Sequence, residues 1–232
     1  MHSPLRILHL ILPLLCLAAV AGAREQALHE QIDALLARDW ASAKVTPAAM
    51  SSDAEFVRRL HLDLNGVIAT AVEARVFLED ARPDKRTRLI DQLLARPEYA
   101  LHMARVFDVM LIERRLPAVK SYDVATVAWR SYLAEAFAAN KPWDALVREV
   151  LASDGSDELQ PAAVKFYVAR DAEPHQLTRD VGRVFLGADL QCAQCHDDPR
   201  FPDYKQADYF GIYAFLSRLS FHRDTKLNRS FI

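Results

Sequence analysis

Cysteine is scarce in this chain, with three residues in 232: Cys16, Cys192 and Cys195. Cys16 lies inside an apolar N-terminal stretch, so a chain cleaved after that stretch keeps only the pair near its C-terminus. Two cysteines this close in sequence can form a local bridge, but they cannot build the framework of a disulfide-rich secreted domain. The chain is long enough to be stabilised by a hydrophobic core of its own.

Several motifs of common enzymes are also missing. The sequence has no glycine-rich phosphate loop, no Gly-x-Ser-x-Gly nucleophile elbow and no His-Glu-x-x-His zinc motif. A hydrolase activity therefore has no sequence support. The charge is nearly balanced as well, with 29 basic and 31 acidic side chains, of which only Arg6 lies in residues 1–23. This balance gives no electrostatic reason to expect nucleic-acid binding.

Residues 1–23 have the pattern of a secretory signal peptide. Arg6 supplies a positive start, residues 7–20 are almost uninterruptedly apolar, and Ala21-Gly22-Ala23 gives a small-x-small cleavage site. The apolar stretch is shorter than the ~20 residues that a membrane-spanning helix needs. The sequence thus predicts an exported protein, periplasmic or otherwise extracytoplasmic, with one domain over 24–232 and no transmembrane segment after cleavage. An uncleaved membrane anchor is the alternative.

The pattern after residue 23 is helical. Apolar residues recur with a 3.6-residue period in successive segments, many of them bounded by a capping residue or a proline. Predicted helices cover 25–43, 53–64, 70–78, 83–94, 97–115, 127–140, 142–151, 175–190 and 206–219. Ser52 or Asp53 can cap the second of these helices, and Thr70 with Glu73 matches a capping box at the third. Residues 162–168 form a short extended or helical piece, and no strand pair is evident. We therefore predict an all-α fold, an irregular multi-helix bundle with a cysteine motif on a loop near the C-terminus.

Residues 192–196, Cys-Ala-Gln-Cys-His, form a C-x-x-C-H run, which is the attachment signature of c-type haem. Two intervening residues put both sulfurs within reach of one porphyrin, while the adjacent imidazole faces the iron. The pattern predicts covalent haem c attached at Cys192 and Cys195, with His196 as the proximal iron ligand. The aromatic-rich segment 206–219 is close enough in sequence to cover such a haem.

The sequence leaves the sixth iron ligand open, because no methionine follows the motif. The weak candidates are His222, His175, Met103 and Met110, each of which also fits an ordinary place in the core or on the surface. Methionine would raise the potential relative to histidine, and an open position would permit small-ligand or peroxidase-like chemistry. Electron transfer to an unidentified redox partner protein is favoured, with a haem-dependent oxidoreductase as the alternative.

Other sites fit the same motif. Zinc or iron could be held by the two cysteines and the histidine with a fourth ligand from Asp197, Asp198 or His222, although no second C-x-x-C or H-x3-H pair is present. A redox dithiol would place the first cysteine at a helix N-terminus after a strand, and no such pattern precedes it. The remaining alternative is a disulfide without any cofactor. With a zinc or iron site, or a disulfide, in place of haem, the chain would be a non-redox interaction module.

Several segments resemble one family of bacterial proteins. Residues 58–66 (RRLHLDLNG) and 83–99 (PDKRTRLIDQLLARPEY) are similar to the opening of the planctomycete cytochrome C-like domain family. The second half agrees at 140–143, 184–187, 192–197 and 208–215, so the likeness covers roughly residues 28–219. The resemblance implies a haem-type cysteine motif in a helical domain of exported proteins, and it implies no established reaction.

Two features depart from the family pattern. Family members often carry His-Pro shortly after the C-x-x-C-H motif, whereas Asp198-Pro199 stands here. A site that used that second histidine would be altered. Family chains also usually continue into a second conserved domain, whereas this sequence ends at Ile232. We therefore expect a shortened relative or a truncated reading frame, and a missing C-terminal domain is a candidate partner.

Overall fold

The computed structural model describes residues 26–118, 124–157, 161–224, 226 and 229–232, so the predicted signal peptide lies outside the described residues. Helices dominate the described part of the chain. In chain order they are α1 Leu28–Ala43, α2 Asp53–Asn65, α3 Ala71–Glu79, α4 Lys85–Leu94, α5 Pro97–Ile112, α6 Thr126–Ala138, α7 Trp143–Ala152, α8 Lys165–Val168, α9 Pro174–Phe185 and α10 Gln206–Leu216. The 3-10 turns are Pro161–Val164 and Cys192–Gln194.

The all-α prediction is confirmed, and most helix bounds lie within a few residues of those expected. The predicted helix 175–190 is wrong at its end, because α9 stops at Phe185 and the chain turns through Gly187 at a φ of +67°. The predicted helix 97–115 ends early at Ile112, because Glu113 and Arg114 adopt left-handed backbone angles of 55° and 60°.

One short strand pair near the C-terminus was not predicted. Strands β1 His222–Asp224 and β2 Arg229–Phe231 pair antiparallel, with His222 opposite Phe231. Each strand has only three residues, too few to show the alternating pattern that reveals a strand in sequence. Within the residues that the structure describes, no helix is both long and apolar enough to cross a membrane.

The chain divides into two compact units, residues 1–51 and 52–232. In the described part of the first unit, α1 carries the apolar stripe expected from its sequence. The stripe residues are 39–72% exposed: Leu28, Ile32, Leu35, Leu36 and Trp40. α1 ends at Lys44, which adopts the left-handed conformation at a φ of 56°.

Local capping fixes the first helices of the second unit. The Ser52 hydroxyl accepts a hydrogen bond of 3.2 Å from the Glu55 backbone N–H, which starts α2. Thr70 and Glu73 form the predicted capping box at α3, each side chain accepting from the other residue's backbone N–H. Gly66 ends α2 at a φ of +73°, a conformation that favours glycine.

The main hydrophobic core of the second unit is built from α5 to α9. Its fully buried side chains include Trp129, Leu133, Phe166 and Leu177. Phe166 belongs to the short piece 162–168, which the sequence left undecided between an extended and a helical form. In the structure, residues 161–168 form a 3-10 turn followed by α8. This core anchors α9, the helix that leads to the cysteine motif.

A buried ion pair joins α9 to the rest of this core. The guanidinium of Arg170, which is 1% exposed, donates from Nε to Asp180 Oδ2 at 2.7 Å. Its other nitrogens donate to the carbonyl oxygens of Phe166 at 3.0 Å and of Leu111, in the last turn of α5, at 2.9 Å. The guanidinium also lies over the Phe166 ring, 3.9 Å from the centroid. One side chain thus connects α5, α8 and α9.

Candidate functional site: the cysteine–histidine turn

The C-x-x-C-H motif occupies one tight turn. The backbone N–H groups of Cys195 and His196 both donate to the carbonyl oxygen of Cys192, at 3.1 and 3.2 Å. Cys192 is partly buried and Cys195 is exposed, and the structure has both as free thiols. The turn therefore presents two thiols and one imidazole from five consecutive residues.

His196 is exposed, and its ring orientation is set by one hydrogen bond. Nδ1 lies 2.8 Å from the backbone carbonyl oxygen of Asp197. Because a carbonyl oxygen can only accept, Nδ1 carries the proton, and the neutral ring has its lone pair on Nε2. Metal-bound histidines commonly donate their second ring N–H in this way, which fixes the tautomer and makes the ligand more basic.

The two acidic residues after the motif hold the following loop. The buried carboxylate of Asp198 accepts from the backbone N–H groups of Arg200 at 2.8 Å and Phe201 at 3.1 Å. The bond from Arg200 is the main cause that holds the pKa of Asp198 below its usual range, and the nearby Cys192 thiol lowers it as well. Asp198 therefore holds the loop that directly follows the motif.

Asp197 connects the motif to the start of α10. Its carboxylate accepts from the Gln206 backbone N–H at 2.9 Å and lies 3.4 Å from Lys205 Nζ. The backbone hydrogen bond from Gln206 is the main cause that lowers the pKa of Asp197. In the parts of the chain that the structure describes, no group of three or more His, Cys, Asp or Glu side chains is arranged to hold a metal ion.

A small aromatic core supports the turn from below. Ala193, between the two cysteines, is fully buried and packs with Leu190 and with Tyr209 of α10, which is also fully buried. Tyr213 packs against the same cluster. Segment 206–219, which the sequence predicts to cover a haem, thus places two of its tyrosines at the motif, whereas its phenylalanines are exposed: Phe210 by 42% and Phe215 by 87%.

A chain of hydrogen bonds links the centre of the motif to α9 and α10. Arg179 Nη1 donates to Gln194 Oε1 at 2.8 Å, and Gln194 Nε2 lies 3.3 Å from His175 Nδ1. The Tyr209 hydroxyl lies 2.8 Å from the same ring nitrogen. A guanidinium only donates, so Gln194 must accept from it and donate to His175. His175 Nδ1 is then an acceptor, and the ring proton is on Nε2.

The four candidates for a sixth iron ligand lie in different parts of the fold. His175 is brought to the motif, and its ring stacks on Tyr213 with centroids 4.5 Å apart. Its lone pair is already used by the hydrogen bonds at Nδ1. Met103 and Met110 lie on α5, partly buried and exposed respectively, and His222 is exposed in β1. The hydrogen bonds described above reach the motif from α9 and α10. Arg179 and Gln194, which form hydrogen bonds at the motif, were not predicted as site residues, because sequence spacing gives no signal for such contacts.

Gly182 fixes how closely the loop before the motif returns to α9. An added Cβ at Gly182 would lie 2.9 Å from the carbonyl oxygen of Ala188 and 3.0 Å from Leu190 Cδ1. The backbone N–H of Ala188 donates to the Gly182 carbonyl at 3.0 Å. Leu190 belongs to the small core under the motif. The close contact of Gly182 with Ala188 and Leu190 therefore fixes the cysteine turn relative to α9.

We expect Gly182→Ala to lower the free energy of unfolding by up to about 2 kcal/mol, because overpacking costs about 1–3 kcal/mol and the gain in helix propensity returns about 1. Gly211→Ala is the matched control, since it is also helical and a Cβ there meets nothing within 4 Å. It should gain about 0.5–1 kcal/mol. Urea unfolding of both variants measures the difference, and equal effects would contradict the proposed contact.

The family of the chain is shown by a match over most of its length. The family model PSCyt2, described as a protein of unknown function (DUF1549), matches residues 31–221. The chain belongs to this family. The PSCyt2 match begins inside α1 and ends just before β1, so it includes the cysteine–histidine turn and its supporting helices. No curated protein and no solved structure gives a significant match.

Proposed function

We propose that this chain is an exported carrier of one covalent c-type haem, which passes single electrons to and from a partner protein. The observation that carries the proposal is the bond between His196 Nδ1 and the Asp197 carbonyl oxygen. This bond leaves Nε2 with the lone pair that an iron ligand needs, in the residue directly after Cys195. The C-x-x-C-H signature and the predicted export support the same function.

The thiols fit the attachment chemistry. Cys192 and Cys195 would each add across one vinyl group, with sulfur bonding to one vinyl carbon and the thiol hydrogen going to the other. This addition needs reduced thiols and no external oxidant. Cys195 is exposed, Cys192 is partly buried and both residues are free thiols, as this addition requires.

The protein's own contribution is to hold the imidazole and exclude water on one side. A bound haem supplies the one-electron chemistry, and the protein tunes its potential through the axial ligand and burial. His196 would ligate the iron through Nε2, made more basic by its bond to Asp197. Ala193, Leu190 and Tyr209 exclude water beneath the turn, because all three are buried.

The remaining choices concern the sixth ligand and the partner. The proposal includes three further statements: the domain is cytochrome C-like, it works outside the cytoplasm, and it exchanges electrons with an unidentified redox partner protein. A haem-dependent oxidoreductase follows from the same site if the sixth position is open. His175 could supply that position through Nε2 only if the ring proton moved to Nδ1, which would then donate where it now accepts from Tyr209 and Gln194.

We expect a pyridine haemochrome spectrum of the exported protein to show a c-type α-band after extraction with acidified acetone. The protein should be expressed with a cytochrome c maturation system, because both thioether bonds depend on it. Haem that is removed by the extraction, or never retained, contradicts the proposal. Zinc analysis and a thiol count on that sample then separate a metal site from a disulfide at the same motif.

A further inference from the structure

Helix α10 is apolar on both of its faces. Asp208 is the only charged residue between Gln206 and Leu216. The inward face of the helix packs against the two hydrophobic clusters of the second unit through Tyr209, Ile212, Tyr213 and Leu216. A helix that is apolar all round is normally covered on all sides. With 11 residues, α10 is too short to span a membrane, which takes about 20, so protein is the cover that suits its outward face.

The outward face of α10 consists of exposed residues at helical spacings of three and four: Ala207, Phe210, Gly211, Ala214 and Phe215. Phe215 is 87% exposed and Phe210 is 42% exposed. Edge contacts with the rings of Tyr209 and Tyr213, at centroid distances of 5.2 and 5.8 Å, hold the Phe210 ring in place. A Cβ added at Gly211 would meet nothing within 4 Å, so no described side chain covers the middle of this face. Exposed aromatic residues are typical of protein interfaces.

This outward face is complementary to itself when two copies of α10 lie antiparallel about a two-fold axis. Gly211 of one copy then lies opposite Ala214 of the other, because the two positions are equally far from the middle of the face. These small side chains let the helix axes approach closely. Phe215 of one copy and Phe210 of the other lie at the same level on opposite flanks of the line of contact, where each ring can pack on the other helix. A two-fold interface uses one surface patch twice, as this arrangement does.

The charges at the two ends of α10 favour the antiparallel arrangement. Asp208 lies in the first turn, and Arg218 lies in the turn that follows the helix. An antiparallel pair brings Asp208 of each copy beside Arg218 of the other, whereas a parallel pair would bring like charges together. The Asp208 carboxylate accepts a hydrogen bond from the Lys205 backbone N–H at 3.2 Å, and a carboxylate can accept further donors. Arg218 is exposed and has no ion pair with a described carboxylate.

We propose that the outward face of α10 binds a second copy of this chain in an antiparallel two-fold dimer. Gly211 and Ala214 form the centre of the interface, the two phenylalanines cover its flanks, and an ion pair of Asp208 with Arg218 lies at each end. Contact along a helix of 11 residues, about 16 Å long, buries less than a standard interface of about 1,600 Å². The dimer is therefore weak and depends on protein concentration. It does not depend on what the cysteine motif binds.

Sedimentation velocity of the full exported chain between about 1 μM and about 500 μM tests the dimer. We expect the average mass to rise from that of one chain towards that of two across this range. Phe215→Ser should raise the dissociation constant at least about tenfold, because a two-fold dimer loses the aromatic ring at two places. Val127→Ser is the matched control, since Val127 is 77% exposed on α6. That variant should dimerise as the original chain does.

Ala214→Glu tests the centre of the interface. It places one carboxylate of each copy near the two-fold axis, where they repel, so this variant should stay monomeric up to about 500 μM. Ala128→Glu is its control, because Ala128 is an exposed alanine of α6. Arg218→Gln tests the orientation. It should weaken an antiparallel dimer at least about twofold through the loss of both ion pairs, whereas it would strengthen a parallel one.

Circular dichroism establishes that each variant is folded before sedimentation. A chain that is monomeric at about 500 μM would overturn the proposal and leave this face to a different protein. A dimer that persists in Ala214→Glu, or that Phe215→Ser leaves unchanged, would place the interface elsewhere and overturn the proposal as well. Tighter dimerisation of Arg218→Gln would overturn the antiparallel arrangement.

Discussion

Asp180→Ala is expected to lower the free energy of unfolding by about 3–5 kcal/mol, the cost of removing one partner of a buried ion pair. The substitution leaves the guanidinium of Arg170, which is 1% exposed, without its carboxylate. The carbonyl oxygens of Phe166 and Leu111 then remain to bond it, and the Glu113 carboxylate lies 3.9 Å from Arg170 Nη2. The two carbonyls are neutral and the Glu113 contact is longer than a hydrogen bond, so most of the compensation for the buried charge is lost.

The same carboxylate makes the fold sensitive to acid. Burial by itself would raise the pKa of Asp180, but the hydrogen bond and charge of Arg170, with bonds from Arg115 and Arg183, outweigh it and lower the pKa. A carboxylate whose pKa is lowered by folding stabilises the protein above its unfolded pKa, about 3.9. This stabilisation is lost as the pH falls below that value, and Asp180→Ala should lose the corresponding part of the acid dependence.

Urea unfolding at pH 7 and at pH 3 measures both effects. Asp144→Ala is the control, since its pair with Arg148 is exposed on both sides and should contribute at most about 1 kcal/mol. The double change Arg170→Met with Asp180→Leu should recover much of the loss, because an apolar pair removes the uncompensated charge. A loss below about 1 kcal/mol in Asp180→Ala would show that water reaches Arg170.

Combined replacement of Cys192 and Cys195 by alanine is expected to abolish covalent haem attachment, the largest functional effect that the haem proposal predicts. Each single variant should keep one thioether bond and a reduced yield of covalent haem. The fold should survive all three changes, because the sulfurs are free thiols and neither belongs to a hydrophobic core cluster. Acid–acetone extraction followed by the haemochrome spectrum measures the attached fraction.

His196→Ala separates iron ligation from attachment. It should retain haem bound through the cysteines, while the visible spectrum changes from that of the original protein because the proximal ligand is lost. His29→Ala on α1 is the control, since this exposed histidine lies in the other unit and should leave the spectrum unchanged. An unchanged spectrum in His196→Ala would contradict the role of His196 as proximal ligand.

Features that depend on a few neighbouring residues could be predicted from the sequence. The cap of α2 at Ser52, one of two candidates in the sequence, and the capping box of Thr70 and Glu73 were predicted where they occur, because both act over three residues. Helical periodicity gave most of the helices for the same reason. The end of α9 was missed because the amphipathic pattern continues past Phe185, whereas the backbone turns at Gly187.

The sequence by itself determined an all-α chain with two cysteines and a histidine in one short motif. Only the tertiary structure decided which side chains meet that motif: Arg179 bonds Gln194, which bonds His175, and Tyr209 lies beneath. It likewise paired Arg170 with Asp180. These contacts join residues whose spacing follows no helical or capping rule, so their partners are selected by the packing of α9 against α10 and of α8 against α5.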